Sequence, residues 1–142
     1  MEDNYMKIQI VSKDKNLLPV RLAVTSFLSQ YNVCLDEIMD VKTALSEAVT
    51  NCIEHAYENS GKIYIEVNID EDKIRISVQD FGRGIEDISM ALTPTYTSKP
   101  DTEHAGVGLN IMESMVDELV IDSNVNIGTT IIMVKNIKKK KG

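Results

Sequence analysis

The sequence predicts an α+β fold, in which a mixed, mostly antiparallel sheet is covered on one face by helices. Two observations predict this fold. Apolar and polar residues alternate in five short stretches, as they do in half-buried strands. Apolar residues recur every three or four positions in three other stretches, as they do in amphipathic helices. Because most neighbouring strands are joined by short turns, we expect a two-layer sandwich formed by one domain, residues 1–142.

The first third of the chain is predicted to form one strand and two helices. Met6, Ile8 and Ile10 alternate with polar residues and indicate the strand. Helical spacing follows over residues 16–31, where Pro19 is tolerated because it lies in the first turn. A second helix is predicted from Asp36, as its N-cap, to about residue 58.

The rest of the chain is predicted to form a hairpin, a loop, a helix and two more strands. The hairpin strands are residues 63–69 and 74–78, with the turn at residues 71–72. Periodicity weakens from residue 80 to residue 108, so most of that stretch is predicted to be loop. The last elements are a helix over about residues 107–116 and strands over about residues 119–123 and 129–134.

The charge distribution argues against direct nucleic-acid binding. The formal net charge is −7, and five of the 15 basic residues lie in the last eight positions, so the rest of the chain is still more acidic. A protein that binds nucleic-acid phosphates usually presents a basic face. The basic tail, residues 135–142, is either a solvated end or an electrostatic contact.

The remaining composition favours a cytoplasmic protein. The two cysteines, Cys34 and Cys52, form no CxxC motif and no disulfide framework. No apolar run approaches the roughly 20 residues of a membrane span, and the acidic N-terminus does not resemble a signal peptide. We therefore expect a soluble protein with no membrane segment.

The second predicted helix carries a polar line beside its apolar face. Glu47, Asn51 and His55 follow one another at intervals of four residues, so they lie along one side of the helix. A carboxylate and an amide close to a buried face are costly unless a partner satisfies them. The line is therefore either a solvated edge or part of a binding site.

Three glycine-containing segments accompany this line. Asp80 is in phase with the buried positions of its strand and is followed by Gly82 and Gly84, which permit a tight turn or the close approach of a ligand. Gly106-Val107-Gly108-Leu109 precedes a helix, where backbone amides favour phosphate. Gly128-Thr129-Thr130 opens the last strand. Taken singly, each segment indicates an ordinary turn or loop more than a binding site.

Taken together, the segments have a more specific meaning. Their order and spacing (ExxxN, DxGxG, GxG and GTT) resembles the ATP-binding domain shared by gyrase, the Hsp90 chaperone, histidine kinases and MutL, known as the Bergerat fold. The resemblance extends over nearly the whole chain. Residues 46–51 (SEAVTN) and 97–100 (TSKP) further resemble the anti-sigma factor serine kinases, particularly those of the sporulation sigma-F type.

The resemblance implies a role for each matching residue. Glu47 would be the general base, and Asn51 would be the Mg²⁺ ligand. Asp80 would accept the adenine amino group, with Thr129 beside it. The other residues that it implies for ATP binding lie in the glycine segments and in an ATP lid of about residues 93–105 with its flank: Gly82, Gly84, Thr97, Ser98, Lys99, Gly106, Val107, Gly108 and Leu109.

Two histidines are left with open roles. His55 is either structural or a catalytic helper. Relatives of the sporulation type generally carry an arginine at the end of the lid, where this chain has Glu103-His104-Ala105. Either His104 takes over that role or the role lies elsewhere.

The resemblance implies a homodimeric, ATP- and Mg²⁺-dependent serine kinase with two protein partners. It would bind and inhibit a sigma factor of the sigma-F type, and it would phosphorylate an anti-anti-sigma factor. Arg21 would contact the sigma factor, although an arginine at the edge of an apolar stripe also covers core surface. The alternative is a nucleotide-gated binding module, either of the general-stress (sigma-B) type or without kinase turnover. A chaperone-like ATPase fragment is disfavoured because the chain has no transducer domain.

Overall fold

The computed structural model describes residues 3–56, 61–82 and 100–138, with the side chains of residues 55, 56 and 100–106 left out. Its strands are β1 (Asn4–Val11), β2 (Lys62–Ile69), β3 (Lys73–Asp80), β4 (Glu118–Asn124) and β5 (Gly128–Asn136). They form one sheet in the order β1-β2-β3-β5-β4, and every pairing among these described strands is antiparallel. The expected antiparallel character is therefore confirmed.

Three α-helices form the second layer of the described fold. They are α1 (Leu17–Ser29), α2 (Leu35–Asn51) and α3 (Pro100–Met115). A short 3₁₀ helix, Asp14–Asn16, precedes α1, and a π-helical segment, Cys52–Ala56, continues α2. Helix α2 packs between α1 and α3.

The core lies between the helices and one face of the sheet. The inward residues of β2 and β3 alternate with exposed or half-buried ones, as the sequence predicts for half-buried strands. On the helical side the buried stripe includes Val24, Leu28, Val41, Leu45 and Val49. The predicted α+β fold with helices on one face is confirmed.

Helix α2 begins and ends differently from the prediction. Its N-cap is Cys34, and the expected cap, Asp36, lies in the first turn. The cause is Glu37, whose buried carboxylate accepts the backbone N–H of Cys34 at 3.2 Å and so closes the helix start. At the other end the α-helix stops at Asn51, where the π-helical segment begins.

Helix α3 begins at Pro100, well before the predicted start near residue 107. Pro100 counted as a loop signal, but proline is also favoured in the first helical position, where its missing N–H costs nothing. Part of the stretch expected to be lid loop is therefore helical. The lid residues before Pro100 lie outside the described residues.

The basic tail does not begin at residue 135. Lys135 lies in β5, and its Nζ donates to Asp40 Oδ2 at 3.0 Å and to the carbonyl of Met115 at 3.1 Å. The backbone N–H of Lys138 donates to Glu37 Oε2 at 2.8 Å. These bonds attach the end of β5 to α2, and residues after 138 lie outside the described range.

Both cysteines are free thiols, as expected. Among the described residues, no helix combines the length and apolar character needed to cross a membrane.

Candidate functional site

Asp80 ends β3 with its side chain turned towards the core, and it is only 4% exposed. Its carboxylate accepts two hydrogen bonds. Cys52 Sγ lies 3.2 Å from Oδ2, and the backbone N–H of Gly82 donates to Oδ1 at 2.9 Å. The sequence prediction that Asp80 points inward is confirmed, and the alternative of an exposed turn aspartate is wrong. A buried carboxylate with donors on both oxygens is a preorganised acceptor.

The environment of Cys52 keeps its thiol protonated. The side chain is buried among core residues at the start of the π-helical segment. Burial, followed by the nearby charge of Asp80 and the hydrogen bond to it, raises the pKa of the Cys52 thiol well above its ordinary value. The thiol is therefore the donor in its contact with Asp80.

Thr129 lies beside Asp80 on the neighbouring strand, where the two residues are paired in the β3–β5 register. It is 7% exposed, and its hydroxyl lies 2.7 Å from that of Ser123 on β4. Asp80, Thr129 and Ser123 thus form a small polar cluster on three adjacent strands. We call Asp80, Gly82, Cys52, Thr129 and Ser123 the base end of the site, because the sequence resemblance implies that the adenine base would bind there.

Gly128 makes the close pairing of β3 and β5 at the base end feasible. Its φ is +143°, a conformation that residues with a side chain rarely adopt. A methyl group on Gly128 would collide with the carbonyl oxygen of Asp80 and would lie 2.8 Å from Cα of Phe81. The glycine is therefore required both by the backbone angle and by the space available.

A second polar group forms where α3 meets α2, at Gly108. The position that a Cβ would take on Gly108 lies 3.1 Å from Glu47 Oε2 and 3.1 Å from Asn51 Oδ1. Two residues of the polar line, Glu47 and Asn51, therefore converge on one of the predicted glycines. We call Glu47, Asn51 and Gly108 the phosphate end, because the sequence resemblance implies that the phosphates of ATP would bind there. Its carboxylate and amide oxygens form a donor set that suits a hard cation such as Mg²⁺.

The GxG segment differs from expectation in its local structure. Because α3 begins at Pro100, Gly106 and Gly108 lie inside the helix and not at its N-terminus. Amides in the helix interior are directed at preceding carbonyls, so in this conformation they do not form the expected phosphate cradle. Leu109 is fully buried in the core, whereas Val107 is 48% exposed.

Asn51 and Cys52 connect the two ends of the site. They are consecutive residues, and Asn51 faces Gly108 while Cys52 contacts Asp80. The chain passes from α2 into its π-helical segment at this point, and π-helical turns are frequent at functional sites. One turn of chain therefore supplies a side chain to each end.

Several expected site residues lie outside the described residues. These are Gly84, Thr97, Ser98 and Lys99, and the side chains of His55 and His104. Their proposed roles remain predictions.

Arg21 lies on α1, the helix that packs against α2 on the side away from α3. Its Nε is buried and, among the described residues, has no hydrogen-bond partner. Leu18 and Leu22, at 58% and 60% exposure, lie one turn apart on the exposed side of α1, and Leu18 is also one turn from Arg21. The face defined by Leu18, Arg21 and Leu22 is an apolar surface with one cation.

Sequence reasoning missed Cys52 and Ser123 at the base end. Cys52 fell on the apolar stripe of its helix, three and four residues after Val49 and Ala48, and was assigned to the core on that basis. The one signal that could have indicated a role in the site was the position of Cys52 directly after Asn51. Ser123 had none, because its contact with Thr129 depends on the β4–β5 register.

Comparison with known proteins places these features in a family. Residues 10–135 match the model of the histidine kinase-like ATPase domain. An anti-sigma F factor of Clostridium beijerinckii is 47% identical over 142 residues, which cover 99% of this chain and 96% of that protein. An anti-sigma F factor of Bacillus licheniformis is 40% identical over 140 residues, covering 97% and 96% respectively.

A solved structure is similar in fold. It contains the RsbU and RsbW domains of Rv1364c from Mycobacterium tuberculosis, with a TM-score of 0.72 and 21% sequence identity. The match covers 96% of this chain and 33% of the solved chain, so this chain spans about a third of that protein. At this identity the likeness concerns the fold alone.

Proposed function

Since the chain belongs to the histidine kinase-like ATPase domain family and is similar throughout to anti-sigma F factors, we propose that it is an anti-sigma factor that uses ATP. In this proposal it binds and inhibits a sporulation sigma factor of the sigma-F type. It also acts as a serine kinase that phosphorylates and inactivates the anti-anti-sigma antagonist of that sigma factor.

The observation that carries the proposal is the convergence of Glu47 and Asn51 on Gly108, one residue away from the buried Cys52–Asp80 pair. A solvated helix edge would not require a glycine opposite it. A site for a nucleotide needs a buried acceptor at one end and oxygen ligands and a base at the other. Both groups are present, and consecutive residues connect them.

The base end supports recognition of adenine. Asp80 offers buried carboxylate oxygens, and each oxygen can accept more than one hydrogen bond. The exocyclic amine of adenine donates hydrogen bonds, whereas guanine has a carbonyl at that position. Thr129 lies beside Asp80 and would contact the same edge of the base.

The phosphate end supports phosphoryl transfer. Asn51 would hold Mg²⁺ through its amide oxygen, and the bound ion would neutralise phosphate charge. Glu47 would accept the proton of a serine hydroxyl as that oxygen bonds to the γ-phosphorus and ADP leaves. Phosphate binding by the amides of Gly106 and Gly108 would require α3 to start later than Pro100 when nucleotide is bound.

The face formed by Leu18, Arg21 and Leu22 is the proposed contact for the sigma factor. It combines exposed leucines with a cation, and arginine is enriched at interface hot spots. The chain is acidic and has only three arginines, so few cationic anchors are available. A homodimer in the cytoplasm completes the proposal, as the resemblance to the anti-sigma kinases implies.

The second candidate function is a nucleotide-gated anti-sigma module without kinase turnover, or one of the general-stress type. Glu47 discriminates against the first of these forms, because a module that only binds nucleotide needs no base beside Asn51. Identifying the captured sigma factor tests the second form, the module of the general-stress type.

The decisive experiment uses Glu47→Ala. Proteins that bind the purified chain in Mg-ATP are captured and identified by mass spectrometry, and phosphate transfer from labelled ATP to the captured antagonist is then measured. We expect Glu47→Ala to keep ATP affinity within a few-fold and to slow transfer by roughly 100-fold or more, the scale of general-base loss.

The matched control is Glu113→Gln, because Glu113 is an exposed glutamate on α3, away from the phosphate end. It should transfer phosphate at the normal rate. Normal transfer by Glu47→Ala would contradict the role of the base. Capture of a sigma factor without any transfer by the wild-type protein would favour the binding module.

A further inference from the structure

We propose that Cys52 is a positioning residue, which holds the Asp80 carboxylate in the orientation that receives the amino group of adenine. The inference rests on the proposed function, because it assumes that Asp80 recognises the base. It assigns a role to a side chain that sequence reasoning placed in the core.

The two carboxylate oxygens of Asp80 accept hydrogen bonds from different donors. Gly82 N–H donates to Oδ1 at 2.9 Å, and Cys52 Sγ lies 3.2 Å from Oδ2. The Gly82 bond alone leaves the carboxylate free to pivot about Oδ1. A second donor on the other oxygen, supplied by another element of the fold, fixes the plane of the carboxylate.

The contact with Cys52 leaves Asp80 able to accept a further hydrogen bond from a ligand. A carboxylate offers about four lone-pair positions, so two internal donors leave room for one more from a ligand. A positively charged partner in the place of Cys52 would neutralise the carboxylate and would compete with the amine. A neutral, weak donor orients Asp80 without displacing the ligand.

The location of Cys52 suits both core packing and hydrogen bonding to Asp80. It is 3% exposed, follows Asn51 directly, and lies on the same stripe as Ala48 and Val49. The thiol therefore fills core space as a small apolar group and also bonds to the carboxylate.

The test measures the affinity of full-length Cys52→Ala and Cys52→Ser for two nucleotides. One is ATP, and the other is purine riboside triphosphate, which lacks the 6-amino group. We expect Cys52→Ala to bind ATP roughly three- to tenfold more weakly, the effect of losing one weak donor to a charged group. Its affinity for the analogue should match that of the wild type. Cys52→Ser keeps a donor and should restore ATP affinity.

Asp80→Asn and Cys34→Ser complete the design. Asp80→Asn should weaken ATP binding more than Cys52→Ala does, and adding Cys52→Ala to it should cause little further loss, because Cys52 acts through Asp80. Cys34 is the other free cysteine and caps the start of α2, at the opposite end of this 17-residue helix from Cys52, so Cys34→Ser should bind both nucleotides normally. Thermal melting of each variant defines a temperature at which all are folded.

The outcomes separate this inference from the proposed function. If Asp80→Asn keeps full ATP affinity, the adenine role of Asp80 fails, and the inference fails with it. If Asp80→Asn loses affinity but Cys52→Ala does not, the inference alone is overturned. Equal losses for ATP and the analogue, or equal losses in Cys52→Ala and Cys52→Ser, would assign Cys52 to packing and would also overturn it.

Discussion

The base end and the phosphate end of the site are built by different means. At the base end, strand pairing sets the geometry, because Asp80 and Thr129 are register partners on adjacent strands. At the phosphate end, two helices meet, and Glu47 and Asn51 approach the backbone of α3 at a glycine. One end is therefore part of the sheet, and the other depends on how α3 packs against α2.

This difference predicts how each end responds to change. A sheet register cannot shift by a fraction of a residue, so the base end should be rigid and intolerant of substitution. A helix can slide or begin at another residue at lower cost. We therefore expect substitutions at the phosphate end to alter function while changing the stability of the protein little. The predictions below test that contrast, beginning with the largest expected effect.

Gly128→Ala should break the base end and the fold together. The substitution forces a side chain onto a residue with φ of +143° and places a methyl group against the backbone of Asp80 and Phe81. We expect the free energy of unfolding to fall by about 3 kcal/mol or more, because backbone strain and a backbone collision add up. Denaturant titration measures this loss.

Ile127→Ala is the matched control, since Ile127 directly precedes Gly128, the first residue of β5, and is 65% exposed. Its stability should stay within about 0.5 kcal/mol of the wild type, as is usual for surface substitutions. A Gly128→Ala variant as stable as this control would show that the pairing of β3 and β5 is not rigid.

The two ends also differ in how well the sequence predicts them. Alternation in β3 is enough to place Asp80 on the buried face, and the structure agrees. The α2 residues Glu47 and Asn51 were correctly placed on one side of a helix, because that follows from their spacing of four residues. Periodicity is a local property, so it predicts which face a side chain occupies.

Element ends and contacts between distant residues were predicted less well. The start of α3 at Pro100 was missed because proline is compatible both with a loop and with the first helical turn. The N-cap at Cys34 depends on the buried Glu37, whose burial is a tertiary property. The Cys52–Asp80 contact joins residues 28 positions apart, and no local pattern encodes it.

Arg21→Ala tests a surface that belongs to neither end. Arg21 lies on α1 with the exposed Leu18 and Leu22, in the helix layer beyond α2. We expect capture of the sigma factor to weaken by about 2 kcal/mol, or roughly 30-fold. ATP affinity and antagonist phosphorylation should change much less. Titration of the sigma factor at saturating Mg-ATP measures the effect, with thermal melting alongside.

Arg75→Ala is the control for charge, because Arg75 is an exposed arginine on β3 in the sheet layer. It should capture the sigma factor normally. Unchanged capture by Arg21→Ala, or a loss explained by melting, would make Arg21 a structural residue and would place the partner surface elsewhere.

Gly108→Ala should separate stability from function at the phosphate end. The new methyl group would lie 3.1 Å from Glu47 Oε2 and Asn51 Oδ1, which are the ends of side chains that can move. Alanine also favours a helix interior over glycine by about 0.8–1 kcal/mol, so the melting temperature should stay the same or rise. Affinity for Mg-ATP should fall by about tenfold, because the displaced oxygens no longer converge.

Ser114→Ala, on the exposed side of the same helix, should gain helix propensity without this loss. If Gly108→Ala instead unfolds the protein as Gly128→Ala does, both ends are equally rigid, and the contrast between them is wrong.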